Sequence, residues 1–361
     1  MRSEYRNMNI TFLIGNGFDL RLGMKTRFAD MYEEYIATPS KSDAIKEYKE
    51  MLKNDAPKYE TWGDFEMAMA QAAKEFEDET AFIECLRDFK VYMAAYLERE
   101  QADFDKRMSV SFNARTLCIN ETWESIHNFY TGLIPNVINE FMALGVQDNP
   151  HYSFISFNYT DVFDSLLYSS HEIIHIHGKL DADVVLGADN IGQVADLPYE
   201  TTKRFARAFI KPEFNKSFDN ARLIKAERAI DNSDIICIYG MSLGRSDYSW
   251  IIRLKNWLLS DQGHHLVYFM HDEAEYNRLN WDAIIDTEED QIVTLLEKLC
   301  ASSDEMNKVF NQIHIPVGYD MFYVDEILKS EKSKVDEKRK KNEELLDRLQ
   351  DRPQENLATL R

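Results

Sequence analysis

The sequence predicts an α/β protein built on a doubly wound, mostly parallel sheet, interrupted after its first strand by a large block of helices. Three features carry this expectation. Short β-branched or aromatic runs stop abruptly at glycine or a small polar residue, helical stretches alternate with those runs beyond residue 150, and residues 28–144 contain no strand-like run. Alternating strands and helices form βαβ units, which assemble into a parallel sheet covered on both faces.

The first strand is the run 9–14, which stops at Gly15. A short apolar run ending in glycine is the pattern of a buried parallel strand. Residues 65–76, 81–98 and 122–144 then repeat apolar side chains at spacings of three and four, the helical period. Strand-like runs return at 152–157, 173–176, 184–186, 235–239 and 265–269, with helical stretches at 161–168, 218–229 and 248–259. Beyond residue 324 the chain is rich in Lys and Glu up to residue 350. That composition reads as a solvated helix with a frayed end, or as a contact with an oligomer or partner. The expected division is a discontinuous Rossmann-like domain (1–28 and 150–323), a helical insertion (29–149) and a charged C-terminal helix and tail (324–361). No internal repeat is visible.

Composition narrows the function classes. With 44% hydrophobic and 12% aromatic residues the chain can bury a sizeable core. A formal charge of −21 repels phosphate backbones, which argues against nucleic acid as a direct partner. The densest basic stretch, 332–341, is interleaved with Asp336 and Glu337. Cys85, Cys118, Cys237 and Cys300 lie far apart, without the spacing of a zinc knuckle or a disulfide framework. No apolar window approaches the roughly 18 residues of a membrane span, so no membrane partner is expected and the cytoplasm is the expected location.

In a doubly wound sheet, ligands bind beyond the carboxyl ends of the strands. The residues there are Gly15-Asn16-Gly17-Phe18-Asp19, Asn158-Tyr159-Thr160-Asp161, His177-Gly178, Gly187-Ala188-Asp189-Asn190 and Gly240-Met241-Ser242-Leu243-Gly244. Glycines, small polar residues and one histidine are the composition of a nucleotide site. Each segment also has a plainer reading. Gly15 and Gly17 could make a tight turn, and Leu20 breaks the G-x-G-x-x-G fingerprint. Asn158 could form an Asx-turn or cap the following helix. His177 could be a core histidine, as His175 is expected to be, and Asp247 could cap the helix after it. The spacing of His171, His175 and His177 could suit a metal, but no carboxylate or cysteine with ligand spacing lies nearby, so no metal is expected.

Taken together, the order of glycine loop, strand–Asn, strand–His-Gly and strand–Gly-x-Ser-Leu resembles the sirtuin NAD-binding fold. Asn158 precedes His177 by 19 positions, close to that family's spacing, although Asp161 stands one residue later than its sirtuin counterpart. Residues 23–28 echo the flexible cofactor loop without its proline and aspartate. The zinc-binding cysteines of sirtuin deacylases are missing, and the helical block is an addition; both argue against peptide deacylation. The phrases Ile14-Gly15-Asn16-Gly17-Phe18-Asp19-Leu20, Ser156-Phe157-Asn158-Tyr159-Thr160, His175-Ile176-His177-Gly178 and Tyr239-Gly240-x-Ser242-Leu243-Gly244-x-Ser246-Asp247 are similar to the bacteriophage abortive-infection AbiH family, over residues 9 to about 320.

That resemblance implies an anti-phage protein with NAD as its substrate. The implied activity is that of an NAD glycohydrolase, cutting the nicotinamide–ribose bond to release nicotinamide and ADP-ribose and so deplete cellular NAD. Asn158 would orient the water or the ribose hydroxyls, and His177 would be the base, since imidazole ordinarily titrates near neutral pH. The amides of residues 15–18 (Gly15, Asn16, Gly17, Phe18) would hold the diphosphate, with Asp19 a ribose or loop-anchoring acceptor. Gly240, Ser242 and Leu243 would line the adenosine side, and Thr160, Asp161 and Asp189 would stand around the same edge. The alternatives are an NAD or ADP-ribose sensor without turnover, or an ADP-ribosyltransferase or nuclease on the same site. Toxicity implies gating, by self-assembly into a homo-oligomer, by a second defence protein or by the helical insertion.

Overall fold

A computed structural model describes residues 7–55, 62–168, 171–194, 196–270, 281–299 and 301–350. Six strands form one sheet: β1 (Asn9–Ile14), β2 (His151–Ser156), β3 (Ile173–His175), β4 (Ile235–Tyr239), β5 (His265–Phe269) and β6 (Ile313–His314). Their order is β3-β2-β1-β4-β5-β6, and every neighbouring pair is parallel. The chain winds outward from β1 in one direction, returns to β4 on its other side and winds outward again. The strand order therefore reverses between β1 and β4, which opens a crevice at their carboxyl ends.

Alternation along β1 fixes which face each residue serves, because successive side chains of a strand point to opposite sides. Ile10, Phe12 and Ile14 pack into one core with Phe104, Phe129, Phe141, Phe154 and Phe322. Leu13 packs into the other with Ile236, Ile238, Trp250, Leu254 and Leu266. Residues between β1 and β2 divide between two cores. The segment from Phe104 to Val146 covers the first face of the sheet, whereas Phe28, Tyr35, Phe65, Phe82 and Phe89 build a third core closed by Tyr159, Leu186, Phe205 and Phe209.

Several elements differ from expectation. The stretch 122–144 is two helices, Ala114–His127 and Pro135–Ala143, separated by a 3-10 turn at Phe129–Gly132. Pro135 lacks an amide hydrogen and so begins a new helix. Gly132 lies so close to the Tyr319 ring that a Cβ there would sit 2.3 Å from it. Residues 184–186 are not a strand; only isolated bridges, Gly178 with Val184 and Ala188 with Ile210, mark this segment. Val185 and Leu186 are buried all the same, Leu186 in the third core and away from the sheet. Helices Lys203–Phe209 and Lys211–Phe218 precede the anticipated one at Asn220–Asp231. The C-terminal helix Val324–Gln350 is solvated only in its later part: Val324 and Leu328 are buried in the first core, and Asp325 pairs with Arg107 at 2.7 Å. No helix among the described residues is long and apolar enough to cross a membrane.

Candidate functional site

A cavity of about 230 Å³ opens at the crevice between β1 and β4. Its wall includes Gly15, Asn16, Gly17 and Asp19 after β1, Asn158 and Thr160 after β2, His177 after β3, and Gly240, Ser242 and Leu243 after β4. Ten of the thirteen candidate residues thus share one wall. Phe18 and Asp161 do not. The Phe18 ring is fully buried in the first core, edge-on to Phe163 and Phe322 at 5.0 Å. Asp161 stands at the head of helix Val162–Leu167, where its amide donates to Gln101 Oε1 at 3.1 Å. Asp189 lies in a neighbouring cleft, whose wall also includes His177 and Asp247, and accepts from Ser249.

The glycine loop serves a different purpose from the one expected of it. A Cβ on Gly15 would sit 2.6 Å from Gly240 O, and one on Gly17 would sit 2.5 Å from Gly240 Cα. Their missing side chains admit the loop after β4. Gly240 itself has φ +70°, which favours glycine, and a Cβ there would lie 2.6 Å from Phe18 N. The amides are spent as well: Gly15 N donates to Tyr239 O, Gly17 N to Gly240 O and Phe18 N to Gly15 O, at 2.8–2.9 Å. The expected amide cradle for a diphosphate is therefore mostly closed. Asn16 Nδ2 donates to Thr26 O at 3.1 Å, holding the segment that brings Thr26, exposed Arg27 and Phe28 to the cavity.

Asn158 neither caps a helix nor forms an Asx-turn. Its Nδ2 donates to Asp19 Oδ1 at 3.0 Å, while its Oδ1 is buried and accepts no hydrogen bond. Thr160 Oγ1 donates to the other oxygen, Asp19 Oδ2, at 2.7 Å. Only 2% of Asp19 is exposed. Burial raises its pKa to about 7 against the opposing effect of the Thr160 and Asn158 hydrogen bonds, because no cation compensates the lost hydration.

His177 is placed by three groups. Nδ1 lies 3.2 Å from Phe157 O, Nε2 lies 3.1 Å from Asp247 Oδ1, and the ring stacks over Tyr159. His175 is tied instead to Asn158 O and, at 2.8 Å, to Asp164. Asp247 makes no side-chain cap, contrary to expectation. It receives Lys211 Nζ at 2.9 Å, and the same ammonium reaches Glu66 Oε2 at 2.7 Å. Burial pushes the Asp247 carboxyl up, but Lys211 and His177 outweigh it and hold the group well below the usual carboxylate range. Burial lowers Lys211, and Asp247 with Glu66 more than restore it. Glu66 also accepts the Gly187 amide.

Lys211 and Glu66 escaped the sequence reading. Their only signal is a pair of charges at positions that prove fully buried, 145 residues apart. Among the described residues, no three His, Cys, Asp or Glu side chains gather as a metal site requires. The site can therefore offer an unpaired amide acceptor, a carboxyl that changes charge near neutral pH, and an imidazole braced by a carboxylate.

No curated protein matches the chain. The family model described as bacteriophage abortive infection AbiH matches residues 11–269, a span holding most of β1, all of β2 to β5 and the described residues of the cavity wall. With well over half its length covered, the chain belongs to the bacteriophage abortive infection AbiH family.

Proposed function

We propose that this protein hydrolyses the nicotinamide–ribose bond of NAD as its contribution to abortive-infection defence. Family membership ties it to bacteriophage abortive infection. The observation that carries the NAD reading is the Asn158 carboxamide. Its oxygen is a buried acceptor with no partner, in the wall of a cavity at the reversal of strand order, and a buried acceptor left unpaired costs about 1–3 kcal/mol. A ribose hydroxyl is a donor of the right kind to satisfy it.

The cavity is smaller than the roughly 300–1,000 Å³ usual for ligand pockets, so it suits one end of a dinucleotide, the nicotinamide riboside. The exposed Arg27 on its wall supplies a cation for the diphosphate in place of the closed glycine loop. Nicotinamide leaves as a neutral group, so the protein must chiefly orient the sugar, admit one water and handle one proton. Asn158 orients the sugar. His177, its nitrogens facing a carbonyl and a carboxylate, contributes a fixed ring to the same wall.

The test is NAD binding and nicotinamide release by wild type and by Asn158→Ala and His177→Ala. Each variant is expected to keep the fold and lose about 10²–10⁴-fold in rate. Wild type that binds NAD but never releases nicotinamide would replace the hydrolase with a sensor.

A further inference from the structure

We propose that the carboxylate of Asp19, and not the imidazole of His177, is the proton acceptor for the attacking water. This rests on the NAD hydrolysis proposed above. Imidazole can take a proton only through a nitrogen with a free lone pair. In His177 neither nitrogen is open, because Nδ1 faces Phe157 O at 3.2 Å and Nε2 faces Asp247 Oδ1 at 3.1 Å. Releasing Nε2 would mean moving Asp247, whose same oxygen, Oδ1, Lys211 also holds at 2.9 Å.

Among the described residues, three carboxyls line the cavity: Asp19, Glu66 and Asp247. Glu66 and Asp247 share the Lys211 ammonium. Asp19 alone is held by neutral donors, Asn158 Nδ2 and Thr160 Oγ1, and each of its oxygens keeps a second lone pair. Among the described residues the wall also carries the Arg27 guanidinium, and Arg21, on the short helix Gly17–Arg21 that holds Asp19, is engaged by Asp320 and Glu326. Burial without a paired cation brings Asp19 to a pKa of about 7, where a base is both substantially ionised and strong enough to take a proton. Asn158 fixes its orientation and presents its own free oxygen beside it.

The step balances. The water oxygen bonds to C1′ of the nicotinamide ribose as the C1′–N bond breaks, and the bonding pair leaves with nicotinamide, neutralising its pyridinium charge. The water proton passes to Asp19, which later returns it to solvent, leaving ADP-ribose.

Rates of nicotinamide release between pH 5 and 9, measured with NAD affinity, decide the matter. Wild type is expected to speed up through about pH 7 and then level off. Asp19→Asn should bind NAD within a few-fold and lose about 10²–10⁴-fold in rate, with no acid limb left. His177→Gln should be slower yet keep the limb. Asp19→Asn with near wild-type rates and an unchanged limb, or a limb that vanishes in His177→Gln, overturns the assignment while NAD hydrolysis stands. A wild type inactive throughout removes both.

Discussion

Asp19→Asn should make the folded protein more stable above neutral pH. The folded carboxyl has its pKa raised from 3.8 to about 7, while in the unfolded chain it ionises near the ordinary value of about 4. Between those values the native state holds a proton that the unfolded state has released, so stability falls as pH rises, and the loss is complete above the folded pKa. A rise of about 3 in pKa corresponds to about 4 kcal/mol, an upper value for this site. Asparagine keeps the shape: its oxygen still accepts from Asn158, and its NH₂ can donate to Thr160 Oγ1. Urea unfolding followed by tryptophan fluorescence should show the variant stabilised by about 2–4 kcal/mol at pH 8.5 and by little at pH 4. A variant less stable than wild type at pH 8.5, or equally stabilised at both values, would refute the electrostatic account of the site.

Two further outcomes follow from buried charge. His265 Nδ1 lies 3.1 Å from His314 Nε2 beneath Phe141, and burial, with His265 adding to it, lowers His314 to about 3. The unfolded chain takes up this proton from about pH 6.5 and the folded one does not, so stability should fall by about 1.4 kcal/mol per pH unit below 6.5. His314→Gln should therefore lose about 2 kcal/mol less than wild type between pH 6.5 and 5; equal losses would count against the pair. Lys211→Met leaves Glu66 and Asp247 buried without their shared cation, and should destabilise by about 3–5 kcal/mol in the same unfolding assay. A change below about 1 kcal/mol would mean the network is not formed.

Much of the sheet could be read from the sequence because its strands are short apolar runs that end where the pleat does. β1, β2, β4 and β5 carry that signal plainly, and their ends converge at the reversal of strand order. β6 has only two residues and no such signal. Residues 184–186 have the composition of a strand but serve a helical core, and periodicity cannot tell those burials apart. The helices Lys203–Phe209 and Lys211–Phe218 are short, and Pro212 in the first turn of the second is tolerated because an amide hydrogen there has no partner within the helix. At the site, Asn158, Asp19 and His177 were visible as strand-end residues. Their roles were not, because a glycine signals a close approach without saying what approaches. Glu66 and Lys211 were invisible because each is an ordinary charge in a helical stretch until tertiary packing buries it.

The most direct test incubates the purified protein with NAD in ¹⁸O-labelled water and resolves the products by chromatography and mass spectrometry. Hydrolysis should give equal amounts of nicotinamide and ADP-ribose, the latter carrying one ¹⁸O, and Asn158→Ala should form both about 10²–10⁴-fold more slowly. NAD recovered intact from active-site-competent wild type, or ADP-ribose found on protein instead of in solution, would contradict the account.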